Sequence, residues 1–173
     1  TFAINTETKN NVLKSLARLL GERREAILAA NRDDLKGCPT DDAVIYDRLK
    51  VDETKIDGMI ASVESVRAAE EPCGRVLFTK TQENALRIEN RTVPFGTILI
   101  IYEARPDVSI EAAIIALKAG NRILLKGGKE ARNTNLCLAA IWREALTENN
   151  ADADFVKYLD ISRDETQKLI EGR

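Results

Sequence analysis

Apolar residues recur at helical spacing through the first part of the chain: Val12, Leu13, Leu16, Leu19 and Leu20, then Ala26, Ile27 and Ala30. A stripe that returns every three to four residues buries one face of a helix. Residues 8–35 are therefore expected to be helical, with Gly21 dividing the stretch into two. Residues 37–42, which include Gly37, Pro39, Asp41 and Asp42, carry turn-forming types and predict a loop. Asp52 or Thr54 can cap a further helix through Ile56, Ile60, Val63 and Val66, which Glu71-Pro72-Cys73-Gly74 ends. From residue 75 to 92 the period shortens towards two. Val76 and Phe78, then Leu86 and Ile88, predict a pair of strands turning around Gln82-Glu83-Asn84.

The second half reads differently. Thr97 to Tyr102 is an unbroken apolar run, the pattern of a strand buried on both faces. Arg105-Pro106 ends it, and Asp107 or Ser109 can cap a helix whose apolar side is Ile110, Ala113, Ile114 and Leu117. Gly120-Asn121 closes that helix, since both residues tolerate the left-handed conformation. Ile123-Leu124-Leu125 is a second apolar run, followed by Lys126-Gly127-Gly128-Lys129. Strand, helix, strand with a right-handed crossover is the expectation. Asn133-Thr134-Asn135 can cap a helix bearing Leu138, Ile141, Trp142 and Leu146, and residues 155–159 supply a third parallel strand. Ser162 and Glu165 form a capping box for a last helix. The fold class expected is α/β, a partial doubly wound, Rossmann-like parallel sheet preceded by helices and a β-hairpin. The boundaries are a helical lead-in over 1–74, the hairpin over 75–92 and a βαβαβα unit over 93–173.

Composition narrows the function classes. With 173 residues, 44% hydrophobic and 31% charged, the chain fits one soluble globular domain. A net charge of −2 argues against a nucleic-acid partner. No apolar run reaches the length of a membrane span and no signal peptide is apparent, so neither membrane nor secretion is expected. Cys38, Cys73 and Cys137 lack metal-ligand spacing, and with no secretion signal they read as reduced thiols in the cytoplasm. The chain contains no histidine, which excludes a Ser-His-Asp triad and a histidine-bound zinc within it. No catalytic residue and no metal ligand are expected in these 173 residues.

Ligands of such sheets bind at the carboxyl ends of the strands. Arg105 stands at one strand end, and Lys126 with Lys129 at another, beside Gly127 and Gly128, which allow close approach to the backbone. That pattern points to an anionic ligand of nucleotide type. The competing reading makes the lysines solvated loop residues and pairs Arg105 with Glu103 or Asp107 to hold the turn. A P-loop is excluded, because Ile123 stands where its first glycine belongs and Glu130 where Ser or Thr follows the lysine. The pattern G-x-G-x-x-G does not occur.

Val93-Pro94-Phe95-Gly96, the run from Ile101 to Pro106, the run from Ala116 to Asn121 and the run from Lys126 to Ala131 together resemble the gamma-glutamyl phosphate reductases. These are also called glutamate-5-semialdehyde dehydrogenases, a branch of the aldehyde dehydrogenase superfamily. Ala29-Ala30-Asn31 and Tyr46-Asp47-Arg48-Leu49 are similar to the same family, so the resemblance covers nearly the whole chain. It implies an NADPH-dependent oxidoreductase of proline biosynthesis that reduces gamma-glutamyl phosphate to glutamate-5-semialdehyde through a cysteine nucleophile. By this resemblance Lys126 holds the adenosine ribose of NADP without a glycine-rich fingerprint, Gly127 and Gly128 give close approach, and Lys129 meets the 2'-phosphate. Arg105 is the candidate substrate-binding residue, and Ala104 replaces the asparagine of aldehyde-oxidising members. The nucleophilic cysteine of the family belongs to a separate domain with no match here, so the chain is expected to be an N-terminal part, inactive alone. Homo-oligomerisation, through the β segment among other parts, and a glutamate 5-kinase partner are further implications. The alternative is a non-catalytic oligomerisation or regulatory module that keeps the fold.

Overall fold

The structure is a computed structural model and describes residues 4–38 and 43–172. Helix α1, Thr6–Glu22, starts under Asn5, whose side chain accepts from the Thr8 N–H at 2.7 Å. Helix α2, Arg24–Lys36, follows after a break at Arg23 rather than at Gly21. Gly21 stays inside α1, where a side chain would lie 4.0 Å from Ile60. The division therefore falls two residues later than the glycine, which the helix tolerates. Residues 37 and 38 leave the helix as a turn and bend, and 39–42 of the expected loop lie outside the described residues. Helix α3 is Ala43–Leu49, and α4, Glu53–Ala68, is capped by Asp52, which accepts from the Lys55 N–H at 3.0 Å.

Strands β1, Val76–Thr81, and β2, Arg87–Arg91, pair antiparallel with Thr79 opposite Glu89. The hairpin stands away from the core: Leu77, Phe78 and Leu86 are each more than half exposed. A parallel sheet follows, with β3, Thr97–Ile101, β4, Arg122–Lys126, and β5, Val156–Tyr158, in the order β3-β4-β5. Thr97 pairs with Arg122 and Ile101 with Lys126. Helix α5, Val108–Lys118, joins β3 to β4, and α6, Arg132–Glu148, joins β4 to β5 after a 3-10 turn at Lys129–Ala131. Helix α7, Arg163–Ile170, ends the described chain under the expected Ser162–Glu165 capping box. The parallel sheet and the hairpin are as expected.

Three local expectations need correction. β3 is an edge strand and not buried on both faces: Thr97 and Ile101 are exposed, Ile98 to Ile100 half-buried. The fully buried positions are Ile123 and Leu125 of the central strand β4. Neither candidate caps α5 with its side chain, since Asp107 makes no such bond and Ser109 lies within the helix. Asn133 to Asn135 likewise fall inside the first turn of α6. That turn is capped from a distance, by the Asp34 carboxylate of α2. It accepts from the N–H groups of Asn133 and Thr134 at 2.9 and 2.8 Å and from the Thr134 hydroxyl at 2.6 Å.

A continuous core joins Leu13, Leu16 and Leu20 of α1, Ile56 and Val63 of α4, Ile110, Ile114 and Leu117 of α5, and Trp142 of α6 to the sheet. Gly120 adopts φ 71° beyond α5, a conformation that excludes most side chains, and the Asn121 N–H returns to the Ala116 carbonyl at 2.8 Å. The Asn121 side chain then accepts from the Gly96 N–H at 3.0 Å, fixing the start of β3 beside β4. The expected closure at Gly120-Asn121 holds.

Candidate functional site

Parallel register brings the carboxyl ends of β3 and β4 together. The Tyr102 N–H donates to the Lys126 carbonyl at 3.0 Å, one step beyond the last paired residues. Arg105, Lys126 and Lys129 thus lie on neighbouring loops at one end of the sheet. Lys126 is half-buried, and its ammonium donates to the carbonyl of Gly127 at 2.8 Å. Lys129 is exposed at the start of the 3-10 turn. Arg105 is 57% exposed and makes a long contact of 3.4 Å with Asp107. Two carboxylates temper the positive field. Asp160, beyond β5, is paired with Arg132 and held below the usual carboxylate range first by that contact, with Lys126 adding to it. Glu130 folds its carboxylate against Gly128, 2.4 Å from the point a Cβ would occupy.

Gly127 has a different occupant from the one its sequence suggests. A Cβ there would lie 2.3 Å from the Asn135 amide nitrogen and 3.2 Å from the Tyr102 ring. Close approach at Gly127 therefore serves the protein's own side chains. These form a buried chain, in which Tyr102 Oη and Ser109 Oγ are 2.5 Å apart and Ser109 Oγ donates to Asn135 Oδ1 at 2.8 Å. The Trp142 indole N–H donates to the Ser109 carbonyl at 3.1 Å and ties the cluster to the core. Burial pushes the Tyr102 phenol well above its ordinary value, against the Ser109 hydrogen bond. Burial also raises the Tyr158 phenol, which faces the same amide. Sequence reading missed Tyr102, Ser109 and the true place of Asn135. The available signal was that polar residues at 109 and 135 interrupt two otherwise apolar helix faces.

Cys38 is buried, while burial raises the thiols of Cys73 and Cys137. Among the described residues no cluster of His, Cys, Asp or Glu could hold a metal ion, and no helix is long and apolar enough to cross a membrane. A cavity of about 230 Å³ lies near Asn5, Thr8, Arg122 and Phe155, and a groove of about 480 Å³ between α4 and α5. Arg105, Lys126 and Lys129 line neither of them.

No protein-family model matches the chain. The fold is nevertheless that of the aldehyde dehydrogenase superfamily. It superposes at a TM-score of 0.69 and 17% identity on the crystal structure of a putative aldehyde dehydrogenase from Bacillus subtilis, over 94% of this chain and 33% of that one. Agreement is much closer with the gamma-glutamyl phosphate reductase of Thermotoga maritima, at a TM-score of 0.90 and 38% identity over 96% of this chain and 41% of that one. In sequence the chain is 38% identical to the gamma-glutamyl phosphate reductase of Shewanella woodyi over 153 residues, 87% of this chain and 36% of that protein. In sequence and in fold the chain matches gamma-glutamyl phosphate reductases, and it spans about two-fifths of the length of the curated relatives it matches.

Proposed function

We propose that the chain is the cofactor-binding part of an NADPH-dependent reductase that converts gamma-glutamyl phosphate to glutamate-5-semialdehyde in proline biosynthesis. Residues 1–173 then form part of the cofactor domain, and the nucleophilic cysteine lies in sequence beyond this chain. The observation that carries the reading is Lys126. Its ammonium sits at the carboxyl end of the central strand, and its hydrogen-bond partner among the described residues is a carbonyl of its own loop. A ribose hydroxyl can replace that carbonyl without leaving a charge unpaired, which is the property a binding lysine needs.

The residues present fit a phosphorylated dinucleotide. Lys126 would hold the adenosine ribose, and Lys129, which is exposed, would meet a 2'-phosphate. NADPH, when bound, supplies the hydride. Arg105 projects from the end of β3 with only a long contact to Asp107, so its guanidinium is available to a carboxylate or phosphate in bidentate geometry. The exposed apolar hairpin supports self-association of the whole protein.

A binding titration tests the cofactor reading. In the full-length protein that carries this chain, Lys126→Ala should raise the NADPH dissociation constant about tenfold, near 1.4 kcal/mol. Lys129→Ala should weaken NADPH more than NADH. Unchanged constants in both variants would remove the assignment.

A further inference from the structure

Asn135 is completely buried, yet only half of its amide is used. Its oxygen accepts from Ser109, while its nitrogen faces the Tyr158 phenol but makes no hydrogen bond of ordinary geometry among the described residues. A buried donor left without an acceptor costs about 1–3 kcal/mol, so native structures rarely keep one without reason. This donor is packed against the backbone of Gly127, in the loop that carries Lys126. The Gly127 carbonyl, in turn, is the acceptor that now occupies the Lys126 ammonium.

We propose that Asn135 is a positioning residue for cofactor binding, holding the 126–128 loop and taking over the Gly127 carbonyl when a ligand draws Lys126 away. The proposal rests on the reading of Lys126 given above. The exchange conserves hydrogen bonds. Lys126 leaves one carbonyl for a ligand hydroxyl, and the freed carbonyl turns to the Asn135 amide nitrogen, which packs on the Cα side of the same glycine. A small rotation of the Gly127–Gly128 peptide is the movement required, and glycine offers little resistance to it. Elsewhere the loop is braced. The Tyr102 ring packs on Gly127, the Tyr102 N–H holds the Lys126 carbonyl, and Ser109 fixes the Asn135 amide with its nitrogen towards the loop. Three elements, the end of β3 and the first turns of α5 and α6, thus converge beneath one glycine. A side chain at 127 would collide with the amide.

The experiment is a double-mutant cycle on NADPH binding in the full-length protein, read by fluorescence titration, with thermal unfolding of the ligand-free protein measured in parallel. Asn135→Ala should weaken NADPH binding about tenfold. In a Lys126→Met background, which has no ammonium to release, the same substitution should change binding less than twofold. Ser109→Ala, which leaves the amide in place but unanchored, should give a smaller loss and stands in if Asn135→Ala does not fold. Equal losses with and without Lys126 would overturn the positioning role and make Asn135 a general packing residue. A Lys126→Met protein that binds as the wild type does would overturn the cofactor reading itself, and the proposal with it.

Discussion

Helix α5 carries a buried polar cluster at each end, and the two are built from opposite materials. At its carboxyl end the chemistry is ionic. Lys9, 2% exposed, donates to Glu71 at 2.8 Å and to the Lys118 carbonyl at 3.0 Å, and its ammonium lies 3.7 Å from the Cys73 sulfur. Lys118 donates to Asn10 and to the Arg67 carbonyl, each at 3.0 Å. Both ammonium groups thereby meet the last carbonyls of a helix, where the backbone dipole favours a cation. At the amino end the hydrogen-bonded chain is neutral, formed by Tyr102, Ser109 and Asn135, with the Asp107 carboxylate beside it. Among the described residues the ionic cluster leaves the second Glu71 oxygen without a partner, on a side chain 23% exposed, whereas the neutral one leaves a donor fully buried against the 126–128 loop. A charge buried for support must be saturated, because an unpaired one is too costly. A neutral donor can be held in reserve.

The ionic cluster should therefore dominate stability and hardly touch binding. Lys9→Ala strands Glu71 and the Lys118 carbonyl and should destabilise the fold by about 3 kcal/mol, measured by urea denaturation. NADPH affinity of the folded fraction should stay within twofold. A loss below about 1 kcal/mol would mean that the cluster decorates the fold and does not clamp it. The acid side gives a second reading. Burial tends to raise the Glu71 carboxyl, but the Lys9 ammonium and the Cys73 N–H outweigh it and bring it down to about 2. With the folded value below the ordinary 4.5, this stabilisation is present above pH 4.5 and is lost as pH falls from there towards 2. Denaturation midpoints of Glu71→Gln should be flatter than wild type across that window.

Asp34 lies beside the neutral cluster and comes next in size. Asp34→Ala removes the acceptor of two backbone N–H groups and one hydroxyl at the start of α6 and should cost about 2 kcal/mol. Asp34→Asn should recover part of it. Equal unfolding midpoints for wild type and Asp34→Ala would show that the first turn of α6 is held by packing alone.

Asp34 also marks the limit of what the chain discloses. The cap of α7 was legible because Ser162 and Glu165 are three residues apart. The cap of α6 was not, because Asp34 and Thr134 meet only through the packing of α2 on α6. β3 shows the same limit: its unbroken apolar run predicts burial on both faces, but strand order is not a local property, and β3 is an edge strand with Thr97 and Ile101 exposed. Strands, helices, the crossover and the cations at strand ends follow from period and punctuation, which are local. What Gly127 makes room for depends on side chains from Tyr102 and Asn135, and no spacing announces it.

The smallest expected effect sharpens the comparison most. Tyr102→Phe deletes one hydroxyl from the neutral cluster and keeps the ring that packs on Gly127. The loss should be about 1 kcal/mol at neutral pH, the ordinary net worth of a buried hydrogen bond. Its pH signature has the opposite sense to that of Glu71. Burial lifts the Tyr102 phenol above its ordinary value of 10, so the fold holds the proton that the unfolded chain releases. That stabilisation is complete below pH 10 and decays as pH rises beyond it. Lysines titrate in the same range, so the comparison must be between two proteins at each pH. The gap between wild type and Tyr102→Phe should close as pH rises from 9 to 11, with wild type losing stability faster. A gap that stays constant across that range would mean that the phenol reaches water, and that the neutral cluster is open at its Tyr102 end.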